Sequence, residues 1–274
     1  MKPTQTSDGS TDPGEHGAPG TEGGRLVGSD RVLAVLKELA RYSEGAGLEE
    51  LTRVMGSPKP TVHRALGALR RAGLAEQDAH GRYVLGDEFL RMAFAHHEAR
   101  PEHVRVRPVL VALAHRFGET AHYAVLDGHE VVYRAKVDPP SGAVRLTSTI
   151  GGRNPAHATA VGKLLLSRRL SSPADVEAWM GGSPPERRTP RTLCAAADLH
   201  HELAVTLERG YGVDDQENET GVNCLALPVY LTSPTTPSGA LSISALAYRT
   251  PLATLVDALD EIRDLLGPLG RPHA

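Results

Sequence analysis

Between residues 47 and 85 the apolar positions change period twice, and those changes outline two helices and a ribbon. Leu48, Leu51, Val54 and Met55 recur at helical spacing, and Glu49 and Glu50 stand where a helix N-terminus favours negative charge. Gly56-Ser57-Pro58 ends that helix, because proline has no N–H to donate and turns its predecessor away from α backbone. A second helix starts near Pro60, whose fixed φ suits a first helical turn, and runs to Ala72 ahead of Gly73. Residues 74–77 and 82–85 then flank Asp78-Ala79-His80-Gly81, a turn suited to a hairpin. Upstream, Ser29 or Asp30 caps a helix reaching about Tyr42, with Val32, Val35, Leu36 and Leu39 as its packing stripe. Three helices and a two-stranded ribbon are the layout of a winged helix-turn-helix.

The faces of the helix near 60–72 carry chemistry. At about 100° per residue, Val62, Ala65, Leu66 and Leu69 fall on one side, and His63, Arg64, Gly67 and Arg71 on the other. Thr61 and Ala68 flank the outer face on one edge, Lys59 and Arg70 on the other. A helix entering the major groove needs long donors near its start and small residues where backbones come close. Lys59, Thr61, His63, Arg64 and Arg71 are the candidate DNA contacts, with Arg82 at the ribbon tip, placed to meet a phosphate or a minor groove. Over 57–85, Lys59, Arg64, Arg70, Arg71 and Arg82 stand against Glu76 and Asp78. That is 5 − 2 = +3 in a chain of formal charge −3, so positive charge concentrates here.

Residues 87–98 form one more helix, carrying Phe89, Leu90, Ala93 and Phe94. The chain has three phenylalanines, so two on this helix predict a surface buried between copies of the chain. Arg100-Pro101 punctuates the chain, and an amphipathic helix follows over 102–117. The expected division is a disordered tail at 1–24, a DNA-binding domain at 25–86, a linker helix at 87–101 and a second domain at 102–274.

In that second domain the period turns to strands at 122–126, 131–136 and 143–147, with Asp127-Gly128 as a turn. Helices follow at 158–169, 173–180 and 195–209, then strands at 222–231 and 239–247 and a helix at 251–266. Strands, helices and strands again predict an α+β fold with a largely antiparallel sheet. Pro155-Ala-His-Ala-Thr-Ala-Val-Gly-Lys163 starts a helix on small side chains, which leaves bare N–H groups for an anion and room for a ligand. Between Gly210 and Cys224, Asp214, Asp215, Glu217 and Glu219 form an acidic loop whose spacing departs from an EF-hand. Ser242 and Ser244 share one sheet face, by period-two alternation.

Apolar residues make up 40% of the chain, enough for cores built from Leu, Val, Ile and Ala, since Trp occurs once. Cys194 and Cys224 are too few for a disulfide framework. No apolar run is long enough for a membrane span, and the N-terminus is polar rather than signal-like. These features predict a cytoplasmic protein without membrane association, cofactor or metal site.

Thr61-Val-His-Arg-Ala-Leu, Gly81-Arg-Tyr-Val-Leu-Gly86, Gly151-Gly152 with His157-Ala-Thr-Ala-Val-Gly-Lys163, and the run from Arg209 to Cys224 match, in order and spacing, the IclR-type transcriptional regulators of bacteria. The chain resembles that family over roughly 26–267. The resemblance implies a winged helix-turn-helix, a linker helix and a GAF-like effector-binding domain. It also implies a homodimer or dimer of dimers on a palindromic double-stranded DNA operator, and more often repression than activation of a catabolic operon. The family's effector pocket carries over to Ala160 and Val161, Asp214, Cys224, Ser242 and Ser244, with Leu146 as an apolar wall. In relatives these groups receive small carboxylates, so a keto acid, glyoxylate, a ureide or an aromatic acid is the expected effector. Ala160 stands where members that bind very small acids often carry glycine, which leaves ligand size open. A rival reading makes the second domain a thiol or redox enzyme with Cys224 as nucleophile and His157 as base. A third makes the helical module a protein-binding one.

Overall fold

The computed structural model describes residues 28–98, 101–139 and 146–272. The tail at 1–24 lies outside them, as does most of the strand expected at 143–147; Leu146 and Thr147 are described and are not in a strand. The chain divides into two compact units between Ala93 and Phe94.

In the first unit, α1 (Gly28–Leu39), α2 (Leu48–Met55) and α3 (Lys59–Arg71) pack around Val35, Leu39, Leu51, Val62, Leu66 and Leu69. Helix α2 ends on Gly56, whose φ of 56° is the left-handed conformation that glycine adopts without steric cost. Pro58 then caps α3. The hairpin β1 (Ala75–Gln77) and β2 (Tyr83–Leu85) is antiparallel and returns Tyr83 to the helical core. Val54 departs from its expected inward place: it is 53% exposed, because an eight-residue helix packed on Leu51 turns its third apolar position outward. Helix α4 (Asp87–Glu98) follows, with Leu90, Met92 and Phe94 exposed.

The second unit is a six-stranded, wholly antiparallel sheet in the order β5-β4-β3-β8-β7-β6. Its strands are β3 (Thr120–Asp127), β4 (Glu130–Val137), β5 (Arg153–Pro155), β6 (Gly212–Asp215), β7 (Val222–Val229) and β8 (Gly239–Leu246). Helices α5 (Pro101–Phe117), α9 (Leu252–Asp257) and α10 (Leu259–Leu266) cover one face. The expected single helix at 251–266 breaks at Ala258, whose backbone leaves helical geometry between α9 and α10. Helices α6 (Ala160–Leu166), α7 (Pro173–Met180) and α8 (Ala196–Arg209) cover the other face. The helix expected at 158–169 is shorter, because 156–158 form a 3-10 turn and Thr159 caps α6 by accepting from the Gly162 amide.

The two faces differ in side-chain size. Along β7 and β8, Leu225, Leu227, Val229, Leu241 and Ile243 join the core under α5, α9 and α10. The alternate positions Cys224, Ala226, Ala240, Ser242 and Ser244 are small, and they face α6 or a cavity beside it. Small side chains on that face leave volume unfilled, and the candidate site lies there.

Candidate functional site

In the first unit, α3 turns Val62, Ala65, Leu66 and Leu69 inward and leaves Lys59, His63, Arg64, Arg70 and Arg71 exposed, with Thr61 half-buried. The Arg64 Nε donates to the Pro60 carbonyl at 3.3 Å, and Lys59 pairs with Glu49 at 2.9 Å. Both are solvent-facing contacts that a phosphate or a base edge displaces at small cost. Arg82 is placed differently from expectation. Its Nε donates to the Glu44 carbonyl at 3.1 Å and its Nη2 to the Gly45 carbonyl, with Glu50 3.7 Å away. The guanidinium is turned back onto the loop before α2 rather than out from the ribbon tip. The reason is local: Gly45 has a φ of 74°, and a Cβ there would sit 2.8 Å from the Tyr83 carbonyl. Loop and ribbon are therefore in backbone contact, and the loop's carbonyls lie within reach of Arg82.

In the second unit a cavity of about 230 Å³ opens between the sheet and the start of α6. Leu146, Ala160, Val161, Asp214, Cys224, Ser242 and Ser244, distant in sequence, all line it. Cross-strand pairing brings four of them together, since Asp214 faces Cys224 and Cys224 faces Ser244, while Ser242 is paired with Ala226 and His122. The amides of Ala160 and Val161 begin α6 and have no hydrogen-bond partner among the described residues, as expected for a helix's first turn. The Ser242 hydroxyl, in a side chain only 3% exposed, also has no hydrogen-bond partner among the described residues.

The acidic loop of the sequence is here an edge strand and a tight turn, and its four carboxylates part company. Asp214, on β6, is buried and accepts from the amides of Glu217 at 2.7 Å and Asn218 at 3.4 Å. Burial, with Glu217 nearby, pushes its carboxyl up to about 7 against the pull of those amides. Glu217 turns inward to Lys163, which is 1% exposed and also holds Glu202, itself paired with Arg209. Asp215 pairs with Arg191, and Glu219 is exposed at the cavity. No group of three His, Cys, Asp or Glu side chains with metal-binding geometry occurs among the described residues.

Several lining residues have no place in the sequence expectations. His122 links Ser244 (3.3 Å) to Ser148 (2.8 Å), and Cys224 donates to Ser244 at 3.2 Å, so a polar chain crosses β7, β8 and β3 to the cavity rim. Burial drives the His122 ring down to about 3, so it works as a neutral donor and acceptor. Lys136 fastens that rim by donating to the carbonyls of Leu146 and Ser148 at 2.8 and 2.7 Å. Tyr133 reaches the cavity through a bulge opposite Tyr123 and Ala124, and packs against His122 with ring centroids 4.8 Å apart and planes tilted by 43°. Arg188 comes from the loop after α7 and donates to the Asn218 carbonyl at 3.1 Å.

The thiol is in no position for nucleophilic chemistry. Burial and the neighbouring Asp214 push the Cys224 thiol up, away from thiolate. His157 is buried elsewhere, its Nε2 3.0 Å from the Glu186 carbonyl, and is not among the cavity's lining residues.

Residues 103–265 match the family described as bacterial transcriptional regulator IclR C-terminal, and residues 29–79 match the IclR helix-turn-helix domain. The chain is 32% identical to the HTH-type transcriptional regulator XynR of Escherichia coli over 235 residues, 85% of this chain and 92% of that one. It is 30% identical to the transcriptional repressor IclR of Escherichia coli over 243 residues, 88% and 85% of the two chains. The crystal structure of a Rhodococcus transcriptional regulator superposes with a TM-score of 0.72 at 27% identity, covering 86% of this chain and 93% of that one.

Proposed function

We propose that this chain, which belongs to the IclR family of ligand-responsive bacterial transcriptional regulators, senses a small carboxylate in the cavity beside α6 and represses a catabolic operon until that ligand arrives. It binds operator DNA and a small-molecule effector, and it is not an enzyme. The observation that carries the finer reading is the cavity itself: two unpaired amides at Ala160 and Val161 and an unpaired buried hydroxyl at Ser242 converge on one small volume. Backbone N–H groups at a helix start suit a carboxylate. Asp214, with its carboxyl near 7, presents a proton to a keto, hydroxyl or amide oxygen at the other end. Leu146 supplies an apolar wall, and Cys224 and Ser244 fill the floor.

On the DNA, Arg64 reads a base edge with Thr61 and His63 beside it, and Lys59 and Arg71 approach phosphates. Arg82 supports the module through the loop it holds and meets backbone only where a guanidinium N–H remains open. A palindromic operator requires two copies, and the apolar surface of Leu90, Met92 and Phe94 on α4 suits their association as a dimer or a pair of dimers. A regulator that binds operator DNA acts in the cytoplasm, and no helix among the described residues is long and apolar enough to cross a membrane.

The test couples binding to response. Calorimetry with a panel of small keto, hydroxy and aromatic acids identifies a ligand, and an operator-binding assay records its effect. The double variant Asp214→Ala with Ser242→Ala is expected to lose both, with unchanged operator affinity in the absence of ligand. A ligand can shift DNA binding only through unequal affinity for two states of the protein. Full ligand affinity in the double variant places the effector elsewhere.

A further inference from the structure

We infer that the cavity takes a small diacid, and that Arg188 is the residue that sets this preference. The inference rests on the effector reading above and adds the charge class of the ligand. Arg188 is not carried on a free loop. Thr189 and Thr192 donate to the carbonyls of Gln216 and Glu217 at 2.8 and 2.7 Å, which fastens 189–192 to the turn after β6. The Arg188 Nε then donates to the Asn218 carbonyl at 3.1 Å, and this bond aims the guanidinium along the cavity wall. Its Nη1 approaches Glu186 only to 3.7 Å, and that carboxylate is 67% exposed. The remaining N–H groups form the fork that accepts a planar carboxylate.

Other cations near the cavity are engaged. Arg153 spans Glu130 and Asp127 at 2.9 and 2.7 Å. Lys136 holds two carbonyls of the rim and Asp138. Lys163 lies behind the wall, between Glu217 and Glu202. Arg188 thus has the weakest carboxylate pairing of these four, on the wall of a cavity that at Ala160 and Val161 already suits one carboxylate. Two further polar groups of the lining residues lack partners among the described residues. Ser242 is buried without a partner, and the side-chain oxygen of Asn218, next to the Arg188 anchor, is buried and unpaired. An amide's oxygen and nitrogen ends exchange by a half-turn, so Asn218 can offer its NH₂ to an anion.

Asp214 is the obvious objection, as a carboxylate facing a dianion. Around it stand Glu217 and Glu219 from its own turn, Lys163 from α6, Cys224 from β7, Tyr133 from β4 and Arg188 from the loop after α7. Burial already raises the Asp214 carboxyl to about 7, so it is half protonated at neutral pH, and a second negative charge in the cavity pushes it further toward the neutral form. A diacid therefore binds with uptake of up to one proton above neutral pH, and Asp214 meets it as a hydrogen-bond donor. A volume of about 230 Å³ limits the ligand to a compact acid.

Calorimetry on the full chain with paired acids tests this, using three- to six-carbon chains and benzene, each as the diacid and as the matching monoacid. At least one diacid is expected to bind tenfold or more tightly than its monoacid partner, a difference of about 1.4 kcal/mol. Repeating that titration at pH 8 in two buffers of different ionisation enthalpy should show proton uptake that Asp214→Asn removes. Arg188→Gln should bring the two acids within about twofold of each other, while Arg188→Lys retains part of the preference. If Arg188→Gln fails to fold, the Arg188→Lys ratio and the wild-type ratio decide. A wild-type ratio near one, or a preference that survives Arg188→Gln, overturns the diacid inference. In both cases monoacid binding that is lost on Asp214→Ala with Ser242→Ala leaves the effector reading standing. Binding of no acid in the series overturns both.

Discussion

Helices α3 and α6 each carry a motif of the family, yet they are opposite kinds of helix. Helix α3 buries four of its residues and sets a row of cations in water. Helix α6 is seven residues long and every one of them is buried, a glycine and a lysine included. The first works through what its side chains project; the second works through how closely its backbone is approached. A Cβ on Gly162 would lie 2.1 Å from the Ala156 carbonyl, and one on Gly212 of β6 would lie 2.1 Å from the Ala160 carbonyl. On α3, by contrast, a Cβ on Gly67 meets only the end of the flexible Arg71 side chain, at 3.5 Å. One helix tolerates change at its functional surface and the other does not.

The largest expected effect tests that contrast at its glycines. Gly162→Ala must displace backbone, and the second unit is expected to lose its cooperative thermal transition while the first unit keeps its helical circular dichroism. A normal melt for Gly162→Ala breaks the comparison. Next are the two lysines. Lys163→Met leaves Glu217 buried without its cation, while Glu202 keeps Arg209, and should cost about 3–5 kcal/mol in urea unfolding. Lys59→Met removes a solvent-exposed pair with Glu49 and should leave the urea midpoint unchanged.

Buried titration sharpens the contrast further, by a few kcal/mol at most. The folded Asp214 carboxyl is raised to about 7, so its stabilising contribution is full below about 4 and is lost as pH climbs through 7. The folded His122 ring is lowered to about 3, so its contribution is full above about 6.5 and is lost as pH falls toward 3. Between about pH 4 and 6.5 the two slopes oppose each other, and wild-type stability from this pair should be nearly flat. Asp214→Asn should expose a stability that rises with pH across that window, and His122→Gln one that falls. Parallel profiles for the two variants contradict the assignment.

On α3, Arg64→Ala should cost about 1–3 kcal/mol on the operator and little on random duplex DNA, with an unchanged melting temperature. Equal losses on both DNAs remove Arg64 from base reading. Smallest is Gly67→Ala, which should stabilise the first unit by about 0.5–1 kcal/mol through helix propensity. It should nonetheless weaken operator binding, because a methyl group then stands on the face that approaches DNA.

The same contrast decides what the sequence disclosed. The faces of α3 follow from a single period of 3.6, so its buried and exposed sets were readable residue by residue. The cavity needed strand pairing, which local periodicity does not contain. The expectation for Asp214, Cys224, Ser242 and Ser244 came from family resemblance; the alternation of large and small residues along β8 was the local sign that one sheet face is kept open. Tyr133 was hidden by the bulge: strict alternation puts it on the face of Ala135, and the extra residue Arg134 turns it to the other. Strands β5 and β6, three and four residues long, were too short to show a period. Asp214 and Asp215 made β6 look like a solvated loop. Lys163 within an aliphatic run was a readable sign that some carboxylate had to be buried with it. Arg188 and Arg82 had no such sign, since a guanidinium's direction depends on carbonyls that only the fold brings near.

The sheet of the second unit ends on β5 and β6, and their brevity limits what its edges offer to a neighbouring chain. An unpaired strand edge is a template for another chain, and long flat edges invite runaway addition. Here one edge is three residues long and ends in Pro155, and the other carries Asp215 tied to Arg191. Among the described residues, neither β5 nor β6 offers the long row of free N–H and C=O groups that fibril growth or strand exchange requires. Crowded at high concentration, the folded domain presents little strand edge for another chain to extend.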